Sequence, residues 1–133
     1  MNYIPIIVIL FTCLISCSNN LDNKEPLLES NCNCTDLILD ELYNHFFLED
    51  RTLPFTGTCY EYFKNGNISI SKKFKEGKME GEMIRYNTNG TIKSIMNFQQ
   101  NKINGKAIIY DSYGKDSTIQ HYKNGKQVIN NVN

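Results

Sequence analysis

The sequence predicts an all-β fold: a single-layer antiparallel sheet of stacked β-hairpin repeats, in which three 24-residue units follow a short N-terminal lead-in. Three observations support this. Gly recurs at positions 57, 81 and 105, at intervals of 24 residues. Each unit holds two segments with apolar residues at alternate positions, a pattern typical of strands. All eight glycines lie within the repeats and all three prolines lie outside them. A period of about 20 to 50 residues indicates units that share a core with their neighbours.

The length and charge of the chain exclude several classes of protein. It has 133 residues, with 14 basic and 14 acidic side chains and 41% apolar residues. This length allows about one domain, and the charge balance excludes a polycation built for nucleic acid and an acidic disordered chain. Residues 17–54 hold two basic and eight acidic side chains, whereas residues 55–133 hold twelve basic and six acidic. The neutral total is therefore the sum of an acidic segment and a basic repeat region.

The N-terminal segment has the pattern of a secretion signal. Residues 3–16 form an apolar, uncharged run, which is shorter than the about 20 residues of a membrane span and is typical of a signal peptide. The run ends in Leu14-Ile15-Ser16-Cys17, which resembles a bacterial lipobox. The resemblance implies a lipoprotein signal peptide at 1–16, lipidation of Cys17 and a polar tether at 17–34. The expected location is the cell envelope, on the outer membrane in preference to the inner, facing the periplasm or the exterior.

Three cysteines follow the expected lipidation site: Cys32, Cys34 and Cys59. An odd number leaves one thiol unpaired in a monomer. Cys32 and Cys34 are too close in sequence to bridge each other without strain, so the predicted disulfide joins Cys59 to one of them. Cys34 is the first choice, with Cys32 as the alternative. Either bridge would hold the N-terminal segment against the first strand of the repeats.

The lead-in, residues 35–56, contains an ambiguous stretch at 36–48. The run Phe46-Phe47-Leu48 favours a short strand pair that starts the sheet. A helix is the alternative, with Leu39, Leu42 or Tyr43, and Phe46 as its apolar stripe. Only a helix would place Glu41, His45 and Glu49 on one face, where they could hold a metal ion. Because the strand pair is favoured, we expect no metal site.

Each repeat unit is predicted to form a hairpin. In the first unit, residues 58–63 and 68–74 are the two arms, and Asn65-Gly66 between them favours a type I′ turn, in which both central residues have positive φ. Residues 75–78 form the turn to the next unit. At this step Asn101 replaces Gly, and Asn tolerates the left-handed conformation. The predicted turn glycines are Gly57, Gly66, Gly77, Gly81, Gly90, Gly105, Gly114 and Gly125.

Aromatic residues also recur at fixed places in the units. They are Tyr62, Phe74, Tyr86, Phe98, Tyr110 and Tyr122. Together with Tyr60 they are predicted to form one aromatic row on a single face of the sheet. We expect this row to form part of the hydrophobic core. The alternative is a surface on which sugars or bases stack.

The unit pattern, Gly-x₄-Tyr-x₃-Gly-x₇-aromatic-x₂-Gly-Lys, resembles a MORN-type repeat of the variant group found in bacterial proteins, some of which are described as antitoxins of the YwqK kind. The segment from Phe46 to Gly57 resembles the lead-in of envelope lipoproteins in this group. The resemblance implies units at 57–80, 81–104 and 105–128, with a tail at 129–133. It also implies a scaffold or attachment surface instead of an active site.

The expected function is therefore that of a membrane-anchored lipoprotein that serves as a β-repeat binding or scaffold module in the cell envelope. The alternative is an antitoxin or immunity-like protein that neutralises a partner toxin by direct binding. The expected partners are membrane lipid, through Cys17, and a protein or other envelope component, with no nucleic acid. We expect no catalytic residues, no enzymatic activity and no cofactor.

Overall fold

The computed structural model describes residues 30–111, 113–115 and 117–129. The expected signal peptide, Cys17 and residues 18–29 of the expected tether lie outside the described residues, and so do residues 130–133 of the tail.

Within the described ranges the chain forms ten strands and one short 3₁₀-helix, Cys34–Asp36. The strands are β1 Ser30–Asn33, β2 Ile38–Asp40, β3 His45–Phe47, β4 Gly57–Tyr62, β5 Ile68–Lys75, β6 Lys78–Tyr86, β7 Ile92–Gln99, β8 Lys102–Tyr110, β9 Ser117–Lys123 and β10 Lys126–Val128. Eight of them form one sheet in the order β1-β4-β5-β6-β7-β8-β9-β10, and β2 and β3 form a separate pair.

The main sheet consists of consecutive hairpins. Strands β4 to β9 each pair antiparallel with the next strand along the chain, ending with β10. The hairpins β4–β5, β6–β7 and β8–β9 correspond to the three predicted units, and their β-branched and aromatic side chains favour extended backbone. The predicted antiparallel sheet of hairpin repeats is confirmed.

The turns within the units differ from the prediction. In the first unit, the N–H of Gly66 donates to the carbonyl of Phe63, and the N–H of Phe63 donates to the carbonyl of Asn67. Gly66 has a φ of 87°, whereas Asn65 is not among the residues with positive φ. The connection is therefore a three-residue loop that ends in a left-handed residue, and the predicted type I′ turn at Asn65-Gly66 is wrong. A left-handed Gly at the end of this loop suffices to reverse the chain.

The type I′ geometry occurs instead in the turns between units. There both central residues have positive φ: Glu76 and Gly77 in the first such turn, and Gln100 and Asn101 in the second. The turn that joins β9 to β10, after the last repeat hairpin, has the same geometry at Asn124 and Gly125. Asn101 has a φ of 66°, so the prediction that Asn takes the left-handed place of Gly is confirmed. The mirror-image turn matches the right-handed twist of the paired strands.

Gly57, Gly81 and Gly105 were predicted as turn residues, but they lie in strands β4, β6 and β8. Gly57 is required by a close approach of two backbones, because a Cβ built on it would lie 1.9 Å from the carbonyl oxygen of Ser30. In β6, the pairing with β5 shifts next to Gly81, whose φ is 93°. Glycine at these positions therefore permits irregular strand pairing or close packing of two backbones. The spacing in the sequence does not distinguish such a glycine from one in a turn.

The N-terminal part of the chain also differs from the prediction in two respects. Residues 30–33, predicted as tether, form β1, which pairs parallel with β4. The predicted strand pair is present as β2 and β3, with Ile38 opposite Phe47, but it forms a sheet of its own and does not start the main sheet. The physical reason is that β1 already occupies the edge of β4 to which β2 and β3 would have to bond.

The hydrophobic core lies where the lead-in covers the first unit. Phe74 and Phe55 are buried, with their ring centroids 5.7 Å apart, and Phe46 meets the edge of Phe74 at 5.1 Å. Three backbone hydrogen bonds join the same segments: Phe46 N–H to the Gly77 carbonyl at 2.6 Å, Gly77 N–H to the Phe55 carbonyl at 2.8 Å, and Phe55 N–H to the Phe46 carbonyl at 2.8 Å. The lead-in is therefore fixed to the first inter-unit turn.

Replacing Gly77 with Ala should destabilise the protein more than replacing Gly90. Both glycines have positive φ, 76° and 85°, so each alanine adds about 1 kcal/mol of backbone strain. At Gly77 the new Cβ would also lie 2.9 Å from the Cβ atoms of His45 and Pro54, whereas at Gly90 nothing lies within 4 Å. We expect urea unfolding to show a loss of about 1 kcal/mol for Gly90→Ala and about 3 kcal/mol for Gly77→Ala. Equal losses would contradict the docking of the lead-in on this turn.

Candidate binding face

The two faces of the main sheet are covered differently. Side chains alternate between the faces along a strand, and directly paired residues point to the same face. Cys59 and Phe74 share the face on which the lead-in packs, which we call the core face. Within the described ranges, the buried side chains of the main strands all lie on it; they are Cys59, Phe74, Ser94 and Ala107. The other face, which we call the open face, has no fully buried side chain in the same ranges.

The predicted single aromatic row is wrong. Tyr60 pairs with Ser71, and Phe74 pairs with Gly57, so Tyr60 and Phe74 point to opposite faces. The cause is the register, which the loop length sets and which decides the face of every side chain. The core face carries Phe74, Phe98 and Tyr122, each opposite the first Gly of its unit, and the open face carries Tyr62, Tyr86 and Tyr110.

A row of isoleucines crosses the open face. Ile84 pairs with Ile95, Ile95 with Ile108 and Ile108 with Ile119. The row continues through Ser71 to Tyr60, so one transverse line of residues joins six strands. With strands about 4.8 Å apart, this line is about 24 Å long. All of its members are partly exposed, and Ile119 is 53% exposed.

A band of lysines lies beside this row, towards the turns between units. The strand register places seven of them on the open face: Lys73, Lys75, Lys78, Lys102, Lys106, Lys123 and Lys126. Lys78 donates a hydrogen bond of 2.7 Å to Gln100. Glu80 and Glu82 are the acidic residues of β6 on this side. The ion pair of Lys72 with Glu61 lies on the core face, away from the band. With seven lysines against the two glutamates of β6, the lysine band is a region of net positive charge.

Tyrosines form the opposite rim of the isoleucine row. The rings of Tyr60 and Tyr62 lie 6.5 Å apart, and Tyr62 is 53% exposed. Tyr86 and Tyr110 follow Ile84 and Ile108 at alternate positions and extend this rim to the later units. The open face thus has an apolar centre between a tyrosine rim and a lysine rim, an arrangement that resembles the apolar core and polar rim of protein interfaces.

The N-terminal cysteines lie on the core face. Cys34 and Cys59 form a disulfide with a Cα–Cα distance of 4.9 Å, and Cys59 is fully buried. Of the two pairings left open above, the structure contains the one with Cys34. Cys32 is a free, partly buried thiol. Its burial, and secondly the nearby Asp36 carboxylate, raises the pKa of this thiol.

The described residues do not bring the candidate metal ligands together. His45 lies in β3 and Glu41 in the turn before it, so the helical arrangement with Glu49 does not form. No group of three or more His, Cys, Asp or Glu side chains in the described ranges could hold a metal ion. Within the same ranges, no helix has the length and apolar character to cross a membrane.

Sequence reasoning missed the isoleucine row, although a signal for it exists. The four isoleucines stand at 84, 95, 108 and 119, with separations that alternate between 11 and 13 residues and add to the repeat period. Such alternation corresponds to pairing across a long turn and a short turn in succession. The correct register requires the turn type, and the turn types were assigned to the wrong connections.

Comparison of the chain with protein-family models, curated proteins and solved structures found no match. The resemblance to MORN-type repeats therefore rests on the sequence columns of the units, and the candidate binding face rests on the register of the sheet.

A double-mutant cycle should separate the two faces. Phe46 touches Phe74 on the core face, so we expect Phe46→Ala and Phe74→Ala to be coupled by about 1 kcal/mol. Tyr60→Ala and Phe74→Ala act on opposite faces, and their effects on the free energy of unfolding should add within about 0.5 kcal/mol. Strong coupling between Tyr60 and Phe74 would restore the single aromatic row and contradict the register.

Proposed function

We propose that this protein is a membrane-anchored bacterial lipoprotein that acts as a β-repeat binding or scaffold module in the cell envelope, and that the open face is its binding surface. The observation that carries this proposal is the isoleucine row, which crosses strands β6 to β9 on the open face and is only partly buried there. Contiguous exposed apolar patches on soluble domains mark interaction sites.

The lysine band determines the chemistry of the partner. Seven lysines border the isoleucine row, against Glu80 and Glu82 on the same side. A partner that buries the isoleucines therefore presents apolar side chains in the centre and carboxylates at the rim. Charged rims steer association and fix orientation more than they add affinity, and their effect is screened by salt. The partner is an acidic protein surface, bound less tightly as the salt concentration rises.

The anchor part of the proposal is supported by the sequence at Cys17. The 12 residues from 18 to 29 separate Cys17 from the start of β1. Fully extended, the chain from Cys17 to Ser30 reaches at most about 47 Å. A lipidated Cys17 would thus keep the sheet close to the membrane surface, and a partner would be another component of the envelope.

The second candidate function is neutralisation of a toxin by direct binding, as the resemblance to the YwqK kind of repeat implies. It uses the same open face and differs in the partner. A toxin that acts in the cytoplasm could not be reached from a lipid anchor outside it, so this function requires a toxin that is exported or inserted in the envelope.

Two neighbouring residues of β8 test the binding face. Ile108 lies on the open face, and Ile109 lies on the core face, where it is 38% exposed. In co-purification from the native envelope, we expect Ile108→Asp to reduce recovery of the bound partner at least tenfold, because a carboxylate enters the apolar row. Ile109→Asp, the matched control, should stay within about twofold of the wild type. Circular dichroism verifies that both variants are folded, and equal retention by folded variants would contradict the proposal.

Labelling of growing cells with a clickable fatty acid tests the anchor. The wild-type protein should carry the label and fractionate with membranes, and Cys17→Ala should lose both properties, because the acylated thiol is removed. Cys32→Ala is the matched control and should remain labelled. A wild-type protein without label would overturn the lipoprotein assignment. The binding face is tested independently by the β8 variants.

A further inference from the structure

The three cysteines of the described residues lie in one cluster, where β1 and the 3₁₀-helix meet β4. Cys34 is bonded to Cys59, with their Cα atoms 4.9 Å apart. Cys32 is the direct partner of Cys59 in the parallel pairing of β1 with β4. Neighbouring strands lie about 4.8 Å apart, and disulfides form at Cα–Cα distances of about 4.4 to 6.8 Å. Cys59 is therefore within bridging distance of both Cys32 and Cys34.

The side chains of Cys32 and Cys59 also point in the same direction. Directly paired residues of neighbouring strands project to one face, and Cys32 packs against the buried cluster that contains Cys59. Cys32 is a free thiol. A thiol held beside a disulfide that it can reach is the arrangement needed for thiol–disulfide exchange.

We propose that Cys32 exchanges with the Cys34–Cys59 disulfide, so that the bridge between the N-terminal segment and the first repeat alternates between Cys34–Cys59 and Cys32–Cys59. In the step, the Cys32 thiol loses its proton and its Sγ attacks the Sγ of Cys59. The bond from Cys59 to Cys34 breaks, and Cys34 leaves as a thiolate that takes up a proton. One disulfide and one thiol are present before and after, so no oxidant or reductant is consumed.

The two bridges fix different parts of the chain. Cys34 begins the 3₁₀-helix, whose N-terminus is capped by Asn33, and its bond to Cys59 fixes the point where the chain leaves β1 for the lead-in. A bond from Cys32 fixes β1 itself to β4 and releases that helical turn. The exchange thus changes how firmly the lead-in is attached beneath the first unit, while the three backbone hydrogen bonds at Gly77 are not altered by it directly.

The surroundings make the exchange slow near neutral pH. The charged groups around the site are Asp36 on the 3₁₀-helix and the Lys72–Glu61 ion pair, in which Lys72 lies opposite Cys59. Burial and Asp36 raise the pKa of the Cys32 thiol, so the reactive thiolate is a small fraction that grows as the pH rises. Below the thiol pKa, the exchange rate should increase about tenfold per pH unit.

The position of the free thiol in the full-length protein tests the proposal. Free thiols are alkylated under acid quench, the disulfide is then reduced and alkylated with a second, mass-distinct reagent, and the tryptic peptide 25–51, which contains both Cys32 and Cys34, is sequenced by mass spectrometry. After incubation at alkaline pH we expect the first label at both cysteines, each at more than a few per cent. The rate at which the label reaches this distribution should fall about tenfold for each unit by which the pH of the incubation is lowered.

Two serine variants complete the test. Cys34→Ser should form a monomer with a Cys32–Cys59 disulfide. Cys32→Ser, the matched control, should keep the Cys34–Cys59 disulfide, with no free thiol at either of these two cysteines. If the first label is found at Cys32 alone in the wild type at every pH, the proposed exchange is wrong. This holds even if Cys34→Ser forms the Cys32–Cys59 disulfide. Where Cys34→Ser does not fold, the wild-type label distribution decides the question alone.

Discussion

A sheet one layer thick can bury large side chains only where something covers it, and in this protein the lead-in provides that cover over the first repeat. The buried side chains of the later units, Ser94 and Ala107, are small. Phe46 and Phe55 meet Phe74 edge to face, and a closed set of three backbone hydrogen bonds ties the same segments to Gly77. The absence of a side chain on Gly77 is what permits this, because a Cβ there would meet His45 and Pro54. The later units add to this base by strand pairing with their neighbours, as in other repeat proteins.

The same constraint explains why the protein has an open face. The lead-in is long enough to cover one side of the first unit, and the opposite side of the sheet keeps its isoleucine row partly exposed. Apolar side chains on neighbouring strands shield one another in part, which stabilises the hairpins without a second layer. The surface that helps to hold the units together is therefore also the surface on which we propose that a partner binds, and its lysine rim would favour a negatively charged partner.

The sequence predicted the composition of the repeats better than their geometry. The 24-residue period, the hairpins and the left-handed Asn101 follow from residue types at fixed spacing, because Gly and Asn are the residues that tolerate positive φ. The turn types were assigned to the wrong connections, and with them the face of Tyr60 relative to Phe74. A shift of one residue in register moves a whole strand's side chains to the other face, so a small error in a turn becomes a large error in the assignment of residues to the two faces of the sheet.

The sequence by itself determined that the chain is a β-hairpin repeat with a cysteine staple at its N-terminal end, since periodicity and turn chemistry are local properties of the chain. Only the tertiary structure decided that residues 30–33 form a parallel edge strand, that Cys32 lies beside the Cys34–Cys59 bridge and that the isoleucines align in one row. These features depend on which strands pair and in which register. The spacing of the isoleucines is compatible with this row but does not fix the pairing. Pairing partners are distant along the chain, and their choice depends on the packing of the lead-in and on the turns together.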